Sequence, residues 1–202
     1  MTRVNNFIVL NIREYLKNRD KLGEDKLLHL LSEFYCPLNQ DVEYFLKQQA
    51  IEFAKKHQAV TYLILSIETA ELLGYFSIAI KPLAISGESF SNVIKRKFLR
   101  FGKINEDGNT YNLAVYLIAQ LGKNYKNRVN ERITGQELLE MAMKQMQFLQ
   151  YQAGGMVVVV ETNNEEKLLS FYNDYGFKQF DTRLTKSNKQ ETRELAQLLM
   201  IL

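Results

Sequence analysis

Val157-Val158-Val159-Val160-Glu161, followed by Phe171-Tyr172-Asn173-Asp174-Tyr175-Gly176-Phe177, carries the topology of this chain. Met156 to Val160 is nearly all valine, the pattern of a strand buried on both faces. Asn163 to Asp174 reads as a helix, and Gly176 stands just past its end, where a left-handed cap belongs. Phe177 to Phe180 is β-prone again. Strand, helix, glycine cap and strand make one compact unit.

Upstream lies a second such unit. Tyr111 to Leu121 is apolar and reads as a strand. The polar stretch Gly122 to Arg132 leads to Thr134-Gly135-Gln136-Glu137, a capping box in which Thr134 caps a helix and Glu137 reaches back to it. Leu138, Leu139, Ala142, Met146 and Leu149 then form a helical stripe, closed by Gly154-Gly155. A helix start has unpaired N–H groups and partial positive charge, so the loop before it is a ready anion site. Lys123, Lys126, Arg128 and Arg132 crowd that loop, and Gly135 permits close approach to the backbone. The same residues also read as a plain capped helix with a solvated basic loop.

Nearer the N-terminus, Phe7 to Ile12 reads as a first strand. A leucine-rich helix ends near Phe34, and Pro37 breaks the chain. Asn39 or Asp41 caps a further helix, with Val42, Phe45, Leu46, Ala50, Phe53 and Ala54 on one face. Thr61–Ile67 and Leu72–Ile80 form a hairpin. Residues 84–110 read as a less regular insertion containing a short amphipathic helix. Leu195 to Leu202 reads as a strand or a short helix. Local pairing combined with strand–helix alternation implies a mixed sheet flanked by helices, in a single domain over 1–202.

The 202 residues are 46% hydrophobic, enough for a sizeable core, and 24% charged. The net charge of +3 tolerates an anionic ligand or RNA without marking the chain as a nucleic-acid binder. One cysteine, Cys36, allows no internal disulfide, and no Cys cluster or His-rich metal site is present. No apolar run reaches the ~18 residues of a membrane span. The expected setting is cytoplasmic, with no metal and no membrane.

Several side chains are candidates for chemistry. Tyr172 lies near a helix end, and its hydroxyl, with a pKa near 10 that exceeds that of a thiol, can donate to a developing thiolate; aromatics at such a place are otherwise packing residues. Glu161 reads as a base, directly or through water, or as a strand-end surface carboxylate. Cys36 lacks a visible His and acid set and reads as a buried, inert thiol. His29 and His57 read as structural. Lys95, Arg96, Lys97, Arg100 and Lys103, interleaved with Phe98, Leu99 and Phe101, are either RNA phosphate contacts or a solvated helix face.

Taken together, the two units resemble the GCN5-related N-acetyltransferase superfamily. Phe171 to Phe177 matches its Phe-Tyr-x-x-x-Gly-Phe motif, and Leu117 to Asn124 looks like its strand end before the pyrophosphate loop. Aligned back from Leu138-Leu139, Asn130 takes the Gln/Arg position of the loop signature, Ile133 the first glycine and Gly135 the last. The segment from Asn124 to Asn130 is about two residues longer than usual. Phe34-Tyr35-Cys36-Pro37-Leu38-Asn39 and Gly74-Tyr75-Phe76 are similar to a toxin-type subgroup, some of whose members acetylate aminoacyl-tRNA.

The resemblance implies an acyl-CoA N-acyltransferase fold: a mostly antiparallel sheet with a splayed parallel strand pair. It implies acetyl-CoA as co-substrate, lying between the Leu113–Gly122 and Met156–Val160 strands. Leu121, Gly122 and Lys123 would hold the pantetheine arm. Arg132, Ile133, Thr134, Gly135 and Gln136 would hold the pyrophosphate, and Tyr172 would protonate the CoA thiolate. The implied acceptor is a primary amine on a small molecule, peptide or protein. The alternatives are aminoacyl-tRNA, with a small antitoxin-like protein as restraint, or a non-catalytic binding module. A homodimer is compatible with each.

Overall fold

The computed structural model describes residues 2–4, 6–17, 23–186 and 192–202. These residues group into two compact units: residues 1–79 with 119–144, and residues 80–118 with 145–202. Two long strands and one long helix contribute to both.

In the first unit, β1 (Thr2–Val4), β2 (Phe7–Asn11), β3 (Val60–Ser66) and the start of β4 (Leu72–Ser86) pair antiparallel in that order. The end of β6 (Thr110–Lys123) lies next to β4. The expected hairpin is therefore present, with Val60 facing Ile78 and Leu65 facing Leu72. Between the strands run α1 (Ile12–Lys17), α2 (Glu24–Ser32), α3 (Gln40–Tyr44) and α4 (Ala50–Lys55). Asn39 caps α3 by accepting from the Asp41 and Val42 N–H groups.

Between α3 and α4 the chain widens into a π-helical stretch, Phe45–Gln49. The apolar stripe survives it, with Val42, Phe45, Leu46, Ala50 and Ala54 all buried. At the centre of this core Tyr75 meets Phe34 edge-on at 5.2 Å and stacks on Phe45 at 6.4 Å. Its hydroxyl donates to the Val42 carbonyl at 2.6 Å, so the buried polar atom is satisfied.

In the second unit the strand order is β4, β6, β7 (Val157–Asn163), β9 (Thr192–Ile201) and β8 (Lys178–Lys186), with β5 (Gly102–Ile104) on β6. β6 and β7 are parallel, in register from Tyr116–Val158 to Ile118–Val160. β7 and β9 are antiparallel, as are β9 and β8. Val157 to Val160 are each at most 2% exposed, as their continuous valine run implies. The C-terminal segment is thus a strand and not a helix, because it completes the ladder on β7. The region 84–110 is more regular than its sequence implies. β4 extends to Ser86, α5 (Asn92–Phe98) follows, and β5 pairs with β6. Phe98 is fully buried against Phe90 at 5.1 Å and Tyr111 at 5.6 Å, which anchors α5 to the core.

α6 (Gly135–Ala153) ends at Gly154 and Gly155, both with positive φ, and α7 (Glu166–Tyr175) ends at Gly176 with φ 110°. A non-glycine residue at φ 110° would be strained, so Gly176 is the residue that lets α7 turn into β8. Among the described residues no helix is long and apolar enough to cross a membrane.

Candidate active site

The first unit holds the residues expected to bind a cofactor. β4 and β6 approach closely where each has a glycine. A Cβ on Gly74 would stand 2.9 Å from the Gly122 carbonyl oxygen, and one on Gly122 would stand 2.4 Å from a Val42 methyl carbon. Both contacts are too close for a side chain. Leu121, Gly122 and Lys123 end β6 half-buried, with Gly122 packed against Val42 of α3.

The loop after β6 is held by its own side chains. A 3₁₀ turn spans Lys126–Arg132, and within it Asn127 and Arg128 have left-handed backbones, φ 50° and 60°. Consecutive non-glycine residues in this region are unusual, and they fall inside the segment that looks longer than usual in sequence. The Lys123 ammonium donates to the carbonyls of Asn130, at 2.9 Å, and Ile133, at 3.1 Å, closing the loop on itself.

The loop's other cations are likewise committed. Lys126 pairs with Glu33 at 2.5 Å, and Arg128 pairs with Glu131 at 2.6 Å. Arg132 donates to Glu71 at 2.5 Å, Ser66 at 2.7 Å and Thr69 at 3.3 Å. The Lys126 hydrogen bond holds the Glu33 carboxyl below its ordinary pKa. Hydrogen bonds from Thr69 and then Arg132 do the same for Glu71. The positive charge that the sequence placed at the anion site is thus spent on intramolecular pairs.

What the loop offers an anion is backbone. Thr134 and Glu137 form the expected reciprocal box: the Glu137 N–H donates to Thr134 Oγ1 at 3.1 Å, and the Thr134 N–H donates to Glu137 Oε2 at 2.8 Å. The Thr134 N–H is therefore occupied. Gly135 and Gln136 are the first residues of α6, and helix geometry gives their N–H groups no acceptor. Ile133 is extended and 1% exposed. It occupies the position before the cap, and Leu138, fully buried, takes the matching place one turn in; these are the positions of a hydrophobic staple. The Ile133 side chain is therefore turned into the core and away from the loop's open face.

Asn124 is the residue at this loop that sequence reading missed. It is 3% exposed and makes a complete set of bonds. Its oxygen accepts from the Tyr35 N–H at 2.9 Å and the Lys126 N–H at 3.1 Å. Its amide donates to the Leu72 carbonyl at 2.8 Å and the Glu33 carbonyl at 3.2 Å. One side chain thereby ties the loop to the end of α2 and the start of β4. The only sequence signal was an asparagine directly after the Gly-Lys strand end.

The second unit holds Tyr172 and Glu161. Tyr172 sits in the last turn of α7, edge-on to Phe171 at 5.0 Å and Phe177 at 5.7 Å. Burial pushes its pKa well above the ordinary tyrosine value, so the phenol stays protonated. Its hydroxyl makes no hydrogen bond to any described residue and remains available as a donor.

Glu161, on β7, is engaged on both oxygens. It accepts from Arg183 at 2.6 Å and from Gln197, its cross-strand neighbour, at 2.8 Å. These two bonds support the strand-end structural reading of this carboxylate. Cys36 is buried, and burial raises its thiol pKa. His57, at the end of α4, accepts from Arg13 at 2.5 Å through Nδ1.

The parallel β6–β7 pair, the loop opening α6 and the glycine-capped α7 between β7 and β8 match the fold of the GCN5-related N-acetyltransferases. Solved structures that share it include a Tyr-to-Phe mutant of KacT, at TM-score 0.65 and 16% identity over 98% of this chain and 95% of that one. AtaT complexed with acetyl-methionyl-tRNAfMet aligns at TM-score 0.58 and 17% identity, over 85% of this chain and 86% of that one. AtaTR bound with AcCoA aligns at 0.56 and 15%, over 98% and 94%. No family model and no curated protein sequence matches the chain.

Proposed function

We propose that this protein is an acetyl-CoA-dependent N-acetyltransferase acting in the cytoplasm as a single catalytic domain. The observation that carries the reading is the closed loop after β6, which ends in a capped helix start with the Gly135 and Gln136 N–H groups unspent. Those groups receive the pyrophosphate, with Arg132, Ile133 and Thr134 shaping the approach, and the backbone of Leu121, Gly122 and Lys123 takes the pantetheine amides. Solved neighbours include AtaTR bound with AcCoA, which supports the same co-substrate.

A neutral primary amine attacks the thioester carbonyl. The new bond is N–C, the bond that breaks is C–S, and the amine's surplus proton leaves to water. Tyr172 donates to the departing sulfur. Because its pKa exceeds that of a thiol by at least ~1.5 units, complete transfer costs at least about 2 kcal/mol. Tyr172 therefore acts mainly as a hydrogen-bond donor to sulfur as charge develops. Glu161 holds β7 to β8 and β9 and does not serve as the base.

A second reading assigns the acceptor as aminoacyl-tRNA. The complex of AtaT with acetyl-methionyl-tRNAfMet supports it, and the structure of AtaT bound to the C-terminus of its antitoxin AtaR makes a small protein restraint the matching expectation.

Calorimetric titration with acetyl-CoA is the test. Micromolar binding supports the enzyme, and Tyr172→Phe should then lower turnover by about 10²-fold at unchanged acetyl-CoA affinity. No binding up to millimolar acetyl-CoA would sink the enzyme reading and leave a non-catalytic module. Unchanged turnover would remove Tyr172 from the mechanism.

A further inference from the structure

From Ser89 to Asn105 the sequence holds Lys95, Arg96, Lys97, Arg100 and Lys103 and no carboxylate. Taking these five from the net charge of +3 leaves the rest of the chain at −2, and Glu88, Glu106 and Asp107 mark the borders of the cationic stretch. Among the described residues, none of the five forms an ion pair or a side-chain hydrogen bond. Like charges within a Debye length of ~8 Å repel one another.

The placement is ordered. Phe98, buried against Phe90 and Tyr111, anchors α5, while Arg96, Lys97, Arg100 and Lys103 are exposed and Lys95 is half-buried. Lys103 is held by β5, opposite Asn112 of β6. Phe101, between Arg100 and Lys103, is 47% exposed.

We propose that this face of α5 and β5 docks a single-stranded nucleic acid. The five cations follow the phosphates, and Phe101 provides a ring on which an unpaired base stacks. The chemistry does not suit a lipid surface. α5 has only seven residues, and although Val93 and Leu99 are exposed, an interfacial helix needs a long continuous apolar face that so short a helix does not offer. The proposal rests on these contacts and is independent of the acetyltransferase reading.

Fluorescence anisotropy of the full chain with a labelled twelve-nucleotide U-RNA, across 50 to 200 mM KCl, tests it. Five phosphate contacts give a log–log salt slope of about −3.5, or roughly 100-fold weaker binding over that range. Replacing Lys95, Arg96 and Lys97 by Gln should flatten the slope by about 2. Phe101→Ala should weaken binding by roughly 5- to 100-fold at an unchanged slope. Circular dichroism and melting curves check that both variants fold.

DNA of the same sequence identifies the source: equal binding supports a site for either sugar, and RNA-only binding supports RNA. An unchanged slope in the triple variant overturns the proposal. So does binding to phosphatidylserine vesicles without binding to RNA. Acetyl-CoA titration of the same samples separates failure here from failure of the enzyme.

Discussion

Two cationic segments of this protein meet opposite fates. Lys123, Lys126, Arg128 and Arg132, after β6, each bond to a carboxylate, hydroxyl or carbonyl of the same unit. The side chains of Lys95, Arg96, Lys97, Arg100 and Lys103, from α5 to β5, bond to none of the described residues. In sequence the first group looked like the ligand site and the second like a surface face. In space the first is loop architecture, and the second is the charge left available to a partner. What separates them is where the acids lie: Glu33, Glu71 and Glu131 come to the first segment, and no carboxylate stands within the second.

The contrast is most exposed to failure at Asn124. Asn124→Leu removes every bond of a buried amide and strands the Tyr35 and Lys126 N–H groups, so it should cost about 3–5 kcal/mol in urea unfolding. A cost near zero would mean that the loop does not depend on its stitches. Lys123→Met comes next. Losing two charge-assisted bonds to carbonyls should cost about 1–3 kcal/mol and weaken acetyl-CoA binding, because the loop before α6 loses its clasp. In contrast, Lys97→Glu on the other segment should leave the melting temperature unchanged or slightly raised, since it relieves repulsion. A clear fall would show an unseen partner there.

The smallest effect is a pH dependence. Glu33 and Glu71 are held below the usual carboxylate value of 4.5 in the folded chain. Their contribution to stability is whole above that value and is lost as pH falls through the lower folded pKa. Replacing both by Gln should flatten the acid limb of the stability profile, while Gln at Lys95 to Lys97 should leave it alone.

Much of the fold was legible because its signals are local. The Thr134–Glu137 box, the Gly176 cap and the valine run of β7 each declare themselves within a few residues. The site was legible only in outline. Arg132 meets a partner 61 residues away, Asn124 one 89 away and Lys126 one 93 away, and no local pattern encodes those meetings. The same cause explains the region after Leu83, whose order comes from pairing with β6 and from the burial of Phe98.

The π-helical stretch Phe45–Gln49 has a consequence of another kind. A π turn takes up an additional residue within a helix. Here it does so while the flanking turns keep the same buried stripe, and Phe45 and Leu46 still pack beneath Tyr75. The helix thus carries slack: a length change in this stretch can be absorbed in the bulge, leaving the wall behind Gly122 where it stands.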